Sequence, residues 1–252
     1  MIADSHAHYD HKRFKEDADT FITALPSKGV GLVINVGCDI HTTQESIKLA
    51  KKYPHVYATV GVHPHSAKSL NEENLQKLKE LATTNEKVVA IGEIGLDFFH
   101  DFSPRDVQRE WFKRQLKLAH ELDLPVVIHS REANQEVFDT ILYSDIRRGV
   151  IHSFSGDWKL ALRYVELGFF IGVSGVVTFD KTNQLQSAVK EIPLDRILME
   201  TDCPYLTPAP HRNKRNDSTM LVYVAEAIAQ IKGTTVDTVC AQTTENVHTL
   251  FL

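Results

Sequence analysis

Cysteine is scarce in this 252-residue chain. Cys38, Cys203 and Cys240 are its three, far apart and with no C-x-x-C pair among them. An odd count at that spacing argues against a disulfide framework and suits a reducing interior, so the cytoplasm is the expected compartment. Long apolar runs are missing as well. None approaches the roughly 18 residues a membrane helix needs, and no basic-then-apolar segment of the signal-peptide kind opens the chain, so neither export nor a membrane partner is expected. Positive charge is not in surplus either: 28 Lys and Arg stand against 33 Asp and Glu, for a net charge of -5. That balance argues against coating duplex nucleic acid through a broad basic face, which depends on many phosphate contacts. It leaves room for an enzyme that grips a strand end with a few local cations. No low-complexity tract or compositional break marks a linker, so residues 1–252 are expected to form a single domain, and nothing points to an obligate protein partner.

What is present is an alternation. Short apolar runs occur at 32–37 (LVINVG), 56–62 (VYATVGV), 88–93 (VVAIGE), 125–130 (PVVIHS), 149–154 (GVIHSF), 169–175 (FFIGVSG) and 196–202 (RILMETD), and the opening MIADSH makes eight. Continuous apolar runs without strict alternation suit strands buried on both faces, as in a parallel sheet. Amphipathic stretches lie between them. Residues 103–122 have Ser103 as an expected N-cap, Pro104 at the first helical position, and Val107, Trp111, Leu116, Ala119 and Leu122 close to one face. Residues 71–82 repeat the pattern with Asn71 as cap, and 218–231 and 235–251 read as two final helices. Eight strand–helix units in about 250 residues have the size and rhythm of a (β/α)8 TIM barrel, with a doubly wound open sheet as runner-up.

The polar residues cluster where the apolar runs end. The first run ends in His6 and His8, the third runs into GVHPH with His63 and His65, and the others reach Glu93, His129, His152 and Asp202. In a parallel barrel all these strand ends share one rim, which is where active sites sit. On a strand, His6 and His8 point to the same side roughly 7 Å apart at the backbone. Imidazole and carboxylate suit zinc, manganese, cobalt or iron, and carboxylates also accept magnesium. A lone His129 or His152 is more often an ordinary core or rim histidine, and H-x-H by itself is a weak signal. The joint pattern is what carries the metal reading, because burying these groups unpaired would be costly. Six ligands exceed the need of one tetrahedral ion, so two divalent ions (Mg, Mn or Zn) are expected. His6, His8, Glu93 and Asp202 surround one ion in this reading; Glu93, His129 and His152 surround the other. The only lysine of the fourth strand, Lys87, is at the wrong end to bridge, which leaves that task to Glu93.

Taken together, DSHAHYD (4–10), GVHPH (61–65), IGEIGLDF (91–98), QLKLAHELDLPVVIHSR (115–131), HSFSG (152–156) and METDCPYLTP (199–208) resemble, in order and spacing, the TatD-type metal-dependent deoxyribonucleases of the amidohydrolase-like superfamily. The resemblance runs along essentially the whole chain. It implies a divalent-metal hydrolase of phosphodiester bonds, typically a 3′-5′ exonuclease on DNA, and mapped by position it implies the same six ligands. One loop departs: where the family often has R-G-K-R-N-E-P, residues 212–218 read RNKRNDS, with Asn213 for the glycine and Ser218 for the proline.

With such a centre, two ions would activate a bridging water and Asp202 would take its proton. Two readings fit His63: it contacts the scissile phosphate or leaving oxygen, or it is a structural rim histidine. Arg131, just after IHS, pairs with a phosphate through its planar fork or forms a surface salt bridge. Asp97 is expected to hold its loop or orient a histidine ligand, and Asp4 and Asp10 to be supporting residues. His211, Arg212, Lys214 and Arg215 form a compact basic spot, either a solvated turn or a guide for a nucleic-acid substrate such as single-stranded DNA or a strand end. The rival enzyme reading is hydrolysis of an ester or amide, such as deacylation of misacylated tRNA. Outside enzymes, the rivals are a metal-containing binding protein and a structural barrel with incidental histidines.

Overall fold

The computed structural model describes residues 1–252. Eight strands, each parallel to its neighbour, run in the order of the chain. They are β1 (Ile2–Ala7), β2 (Val30–Asn35), β3 (Val56–Val60), β4 (Val88–Asp97), β5 (Val126–Arg131), β6 (Gly149–Ile151), β7 (Phe169–Val173) and β8 (Ile197–Met199). The helices between and after them are α1 (Ala18–Ala24), α2 (Ile40–Lys52), α3 (Glu72–Thr83), α4 (Arg105–Glu121), α5 (Asn134–Leu142), α6 (Trp158–Glu166), α7 (Gln184–Glu191), α8 (Leu221–Lys232) and α9 (Val236–Phe251). The last strand returns to the first. Ala7 bridges Cys203, the Asp202 N–H donates to the His6 carbonyl at 2.9 Å, and the His8 N–H donates to that of Cys203 at 2.9 Å. This is the (β/α)8 barrel, nearly closed, and not the open sheet.

Two apolar layers hold it. A large cluster fills the space between the strands and the surrounding helices. A smaller one draws on Ala3, Leu32, Ile34, Val89, Val127, Val150, Phe170 and Leu198, from seven of the strands, and is completed by Val247, Leu250 and Phe251 at the end of α9. Side chains two positions apart on a strand share a face. The residue two beyond Val127 is His129, two beyond Val150 is His152, and two beyond Leu198 is Glu200. The faces that build this apolar layer thus continue directly into the polar groups above it.

Two local details differ from the expectations. Asn71 caps α3, its side chain accepting from the Asn74 N–H at 2.8 Å, but Ser103 does not cap α4. That helix begins at Arg105 after Pro104, and the Ser103 hydroxyl donates to the His65 carbonyl at 2.9 Å instead. The fourth strand does not stop at Glu93. It runs on to Asp97, with a register shift against β5 between Ile91 and Ile94. At this shift the Glu93 N–H leaves the ladder and donates to the Gly37 carbonyl at 2.8 Å. A bulge of this kind re-aims a side chain, and the crowding demands Gly92, where a Cβ would lie 2.6 Å from that of Val127.

Candidate metal centre

The strand ends bring six side chains to one point. His6 and Glu93 are buried, His8 and His152 nearly so, and Asp202 opens toward solvent. The Nε2 atoms of His6 and His8 lie 3.1 Å apart. Glu93 Oε2 is 3.4 Å from His6 Nε2, while Glu93 Oε1 is 2.9 Å from His129 Nδ1. Asp202 Oδ1 is 3.3 Å from His8 Nε2 and 3.8 Å from His6 Nε2. His152 stands between the two groups, its Nε2 being 4.0 Å from Glu93 Oε1 and 3.9 Å from Asp202 Oδ1. Expected with Glu93 and His129, it also falls within reach of His6 and Asp202.

The ring orientations test whether this set suits a cation. His8 Nδ1 lies 3.0 Å from the Val36 carbonyl, which can only accept, so the proton belongs there and Nε2 offers a lone pair. His129 Nε2 faces Asp97 Oδ2 at 3.1 Å, which leaves Nδ1 as the free acceptor beside Glu93. His152 Nδ1 is 2.9 Å from Glu200 Oε1, a charge contact outside hydrogen-bond geometry, and Nε2 points inward. His6 stacks on His152 with ring centroids 3.5 Å apart, and its Nδ1 is buried without a partner. Two imidazoles, His8 and His129, thus turn their N–H groups outward onto acceptors, His152 sets its Nδ1 against a carboxylate, and all three turn their other nitrogen toward Glu93 and Asp202. That is the arrangement of ligands around a divalent ion, and the residues fit one. Burial works against the charge on Glu93, but the surrounding His63, His129, His152 and His6 hold its carboxyl well below the ordinary range.

His63 sits in the same cluster with a different sense. Its Nδ1 accepts from the His65 N–H at 3.1 Å, so its proton is on Nε2, which points at Glu93 Oε1 from 3.6 Å. Burial, helped by the neighbouring His129, pushes its pKa well below the usual value, so it is a neutral donor. Asp97 does both things expected of it. Oδ1 accepts from the Phe99 and His100 N–H groups at 3.0 Å, and Oδ2 faces His65 and His129. Asp4 accepts from the Thr201 hydroxyl and from the Ser218 hydroxyl, each at 2.6 Å, and Asp10 accepts from Asn35 at 2.8 Å. The departure at Ser218 therefore has a local task, tying the loop after β8 to β1.

The basic residues are not gathered as expected. Arg215 is paired through both guanidinium nitrogens with Asp17, at 2.8 and 2.6 Å, and lies over the Phe14 ring. His211 reaches the Tyr223 hydroxyl at 2.8 Å, and Arg212 donates to the Thr207 carbonyl and stacks on Phe179. Only Lys214 extends from this loop without such a partner. Arg131 lies over the exposed Phe99 ring and, with His129, His152, Ser153, Ser155 and Asp202, lines a cavity of about 340 Å³ beside the centre.

Two residues escaped the sequence reading. Glu200, fully buried, holds His152 and also accepts from the Ser153 N–H at 2.6 Å. Its signal was its place two residues before Asp202. Cys38 lies 3.7 Å from Glu93 Oε2, with burial pushing its thiol up to about 12; nothing in its spacing marked it.

Comparison with known proteins adds the following. The family described as TatD related DNase matches residues 3–252. The uncharacterized metal-dependent hydrolase YabD of Bacillus subtilis is 40% identical, covering 100% of this chain and 99% of the relative. The 3′-5′ ssDNA/RNA exonuclease TatD of Escherichia fergusonii is 36% identical over 95% of this chain and 94% of its own length. Among solved structures, YjjV, a TatD homolog from Escherichia coli, superposes with a TM-score of 0.94 at 30% identity, covering 99% of this chain and 97% of YjjV.

Proposed function

The chain belongs to the TatD-related DNase family of metal-dependent hydrolases, and on that premise we propose that it hydrolyses phosphodiester bonds as a 3′-5′ exonuclease on single-stranded DNA or strand ends, at a pair of divalent ions. The observation that carries the reading is Glu93, whose two oxygens face different partners, Oε2 toward His6 and Oε1 toward His129. A carboxylate so placed suits a bridge. His6, His8, Glu93 and Asp202 would hold one ion, and Glu93, His129 and His152 the other, with His152 lying between the two. The imidazole-rich set favours zinc or manganese over magnesium. When bound, the ions supply Lewis-acid polarisation of a phosphate oxygen and a water acidified toward neutrality.

The chain's own groups do the rest. Asp202, at the edge of the cavity, takes the proton of the attacking water. His63, neutral and protonated on Nε2, donates a hydrogen bond to a phosphate oxygen and is not the acid that protonates the leaving group. Arg131, with Ser153 and Ser155 on the cavity wall, holds the phosphate. At about 340 Å³ the cavity is near the small end of ligand pockets, a size for the end of a strand and not for a duplex. Lys214, exposed on the loop after β8, is the remaining member of the basic loop placed to guide the strand. The three unpaired cysteines suit a cytoplasmic, single-domain enzyme.

The test is an assay of metal-stripped, manganese- or zinc-reconstituted protein on 5′-labelled single-stranded DNA, with misacylated tRNA alongside. A ladder shortening from the 3′ end, abolished by Glu93→Ala in a folded variant, is expected. Deacylation of tRNA without release of nucleotides would replace this reading with the ester-hydrolase one.

A further inference from the structure

Beside the centre lies a second convergence that the proposed reaction does not use. His65 Nε2 is 2.8 Å from Asp97 Oδ2, and His100 Nδ1 is 3.7 Å from the same oxygen. The ligating atoms of His65, Asp97 and His100 all lie within 4.8 Å of one another. Around a tetrahedral zinc with bonds of roughly 2.0–2.1 Å, neighbouring ligand atoms are about 3.3 Å apart, so each imidazole needs to shift by about half an ångström relative to Asp97 Oδ2, and the two exposed rings, within 4.8 Å of each other, close on the ion. We propose that His65, Asp97 and His100 form a further divalent-cation site, outside the Glu93 centre.

Three observations point to a cation and not to a plain hydrogen-bond network. First, His100 Nδ1 is buried and has no hydrogen-bond partner, although it faces a carboxylate. A buried polar atom left in that state calls for an occupant. Second, Asp97 is fixed before any ligand arrives: Oδ1 accepts the backbone N–H groups of Phe99 and His100, so Oδ2 is held toward both imidazoles. Third, the cluster has an entry. Asp97 is fully buried, but the side chains of His65 and His100 remain 30% and 33% exposed, leaving a fourth position open to solvent. Phe102 packs against both rings, with centroids 4.8 and 5.1 Å away, and walls the other side. Two imidazoles and one carboxylate match the three-ligand zinc sites that keep one position open. Asp97 Oδ2 also faces His129 Nε2, so the outer cation would share its carboxylate with a residue of the inner centre.

Metal content read by elemental mass spectrometry, after equilibrium dialysis against buffered zinc, tests this on the full chain. Wild type is expected to bind one more zinc per chain than His100→Ala and one more than His65→Asn, and crystals soaked in zinc should show an anomalous peak between the two rings. His100 is on a loop, and its truncation leaves the barrel strands untouched. Equal zinc content in wild type and His100→Ala overturns the site, as does a peak confined to the Glu93 centre. The difference between wild type and variant reads the outer site alone. An absolute count below two in the variants would instead count against the paired ions of the proposed function.

Discussion

Glu200 offers the sharpest perturbation of the centre, because substitutions at two positions, Glu200 itself and Gly172 on β7, reach it by different routes. Its carboxylate sits 2.9 Å from His152 Nδ1 and accepts the Ser153 N–H at 2.6 Å. Although burial works against it, the Glu200 charge is foremost in raising the His152 pKa to about 9. Glu200→Gln keeps the shape and an acceptor oxygen but removes the charge that makes His152 a strong donor through Nε2. Partners of this kind typically set metal affinity by about 10- to 100-fold, or about 1.4–2.7 kcal/mol. Retention of an acceptor places Glu200→Gln near the lower end. Glu200→Ala should lie near the upper end and also destabilise the chain by about 1–3 kcal/mol, because the Ser153 N–H loses its partner. The second route is Gly172 on β7, where a Cβ would stand 2.6 Å from Glu200 Oε2. Gly172→Ala must displace the carboxylate and should weaken zinc binding without changing any polar group. Zinc affinity measured against a competing chromophoric chelator, with circular dichroism to establish folding, reads all three. Wild-type zinc affinity in a folded Glu200→Gln protein would refute the role assigned to this carboxylate.

Two further outcomes follow from groups away from the cavity. Burial pushes the Asp4 carboxyl from 3.8 up to about 6, against hydrogen bonds from Ser218 and Thr201. The folded chain therefore holds this proton more tightly than the unfolded one, and the residue's contribution to stability is largest below about pH 4 and falls as pH rises through about 6. In urea titrations of chelated protein, the difference in unfolding free energy between wild type and Asp4→Asn should shrink by up to about 3 kcal/mol between those limits; a flat difference would contradict it. At the opposite end of the barrel, Lys87 Nζ lies 2.8–2.9 Å from the carbonyls of Ala50, Tyr53, Pro54 and Val56, which share its three N–H groups. Lys87→Met should cost about 2–3 kcal/mol in thermal or urea unfolding and leave zinc content unchanged, whereas loss of zinc would mean that the two ends of the barrel are coupled.

The barrel was legible because each strand is buried on both faces, which writes it into the sequence as a short apolar run that needs no partner to be seen. The rim was legible for a related reason: histidine and carboxylate at the end of such a run have no other cheap explanation. Reading failed where the decisive fact is a neighbour from elsewhere in the chain. Glu200 passed as part of an apolar run because the strand stops at Met199 and the chain bends after it. Glu93 was placed correctly at the rim, but the bulge that aims it depends on the close approach of β5 at Gly92. Arg215 looked free beside Lys214 and Arg212, yet Asp17, nearly two hundred positions earlier, neutralises it. Charge clusters in sequence do not reveal which members are already paired in space. The His65–Asp97–His100 group was missed for the same reason, since its members come from a loop after β3 and from the end of β4 and the loop beyond it.

The seam between β1 and β8 has a consequence for biosynthesis. Asp4 is held by Thr201 and Ser218, 197 and 214 positions away, and the His6 and His8 backbones pair with residues 202 and 203. A chain emerging from a ribosome therefore exposes two of its proposed ligands first and must wait for nearly the last fifth of its length before they can be used. Until then, His6 and His8 have Glu93 but lack Asp202, the second carboxylate of their proposed site. Zinc retention would accordingly distinguish chains that have closed the seam from those that stopped short of it, making the metal a marker of finished folding as well as a reagent.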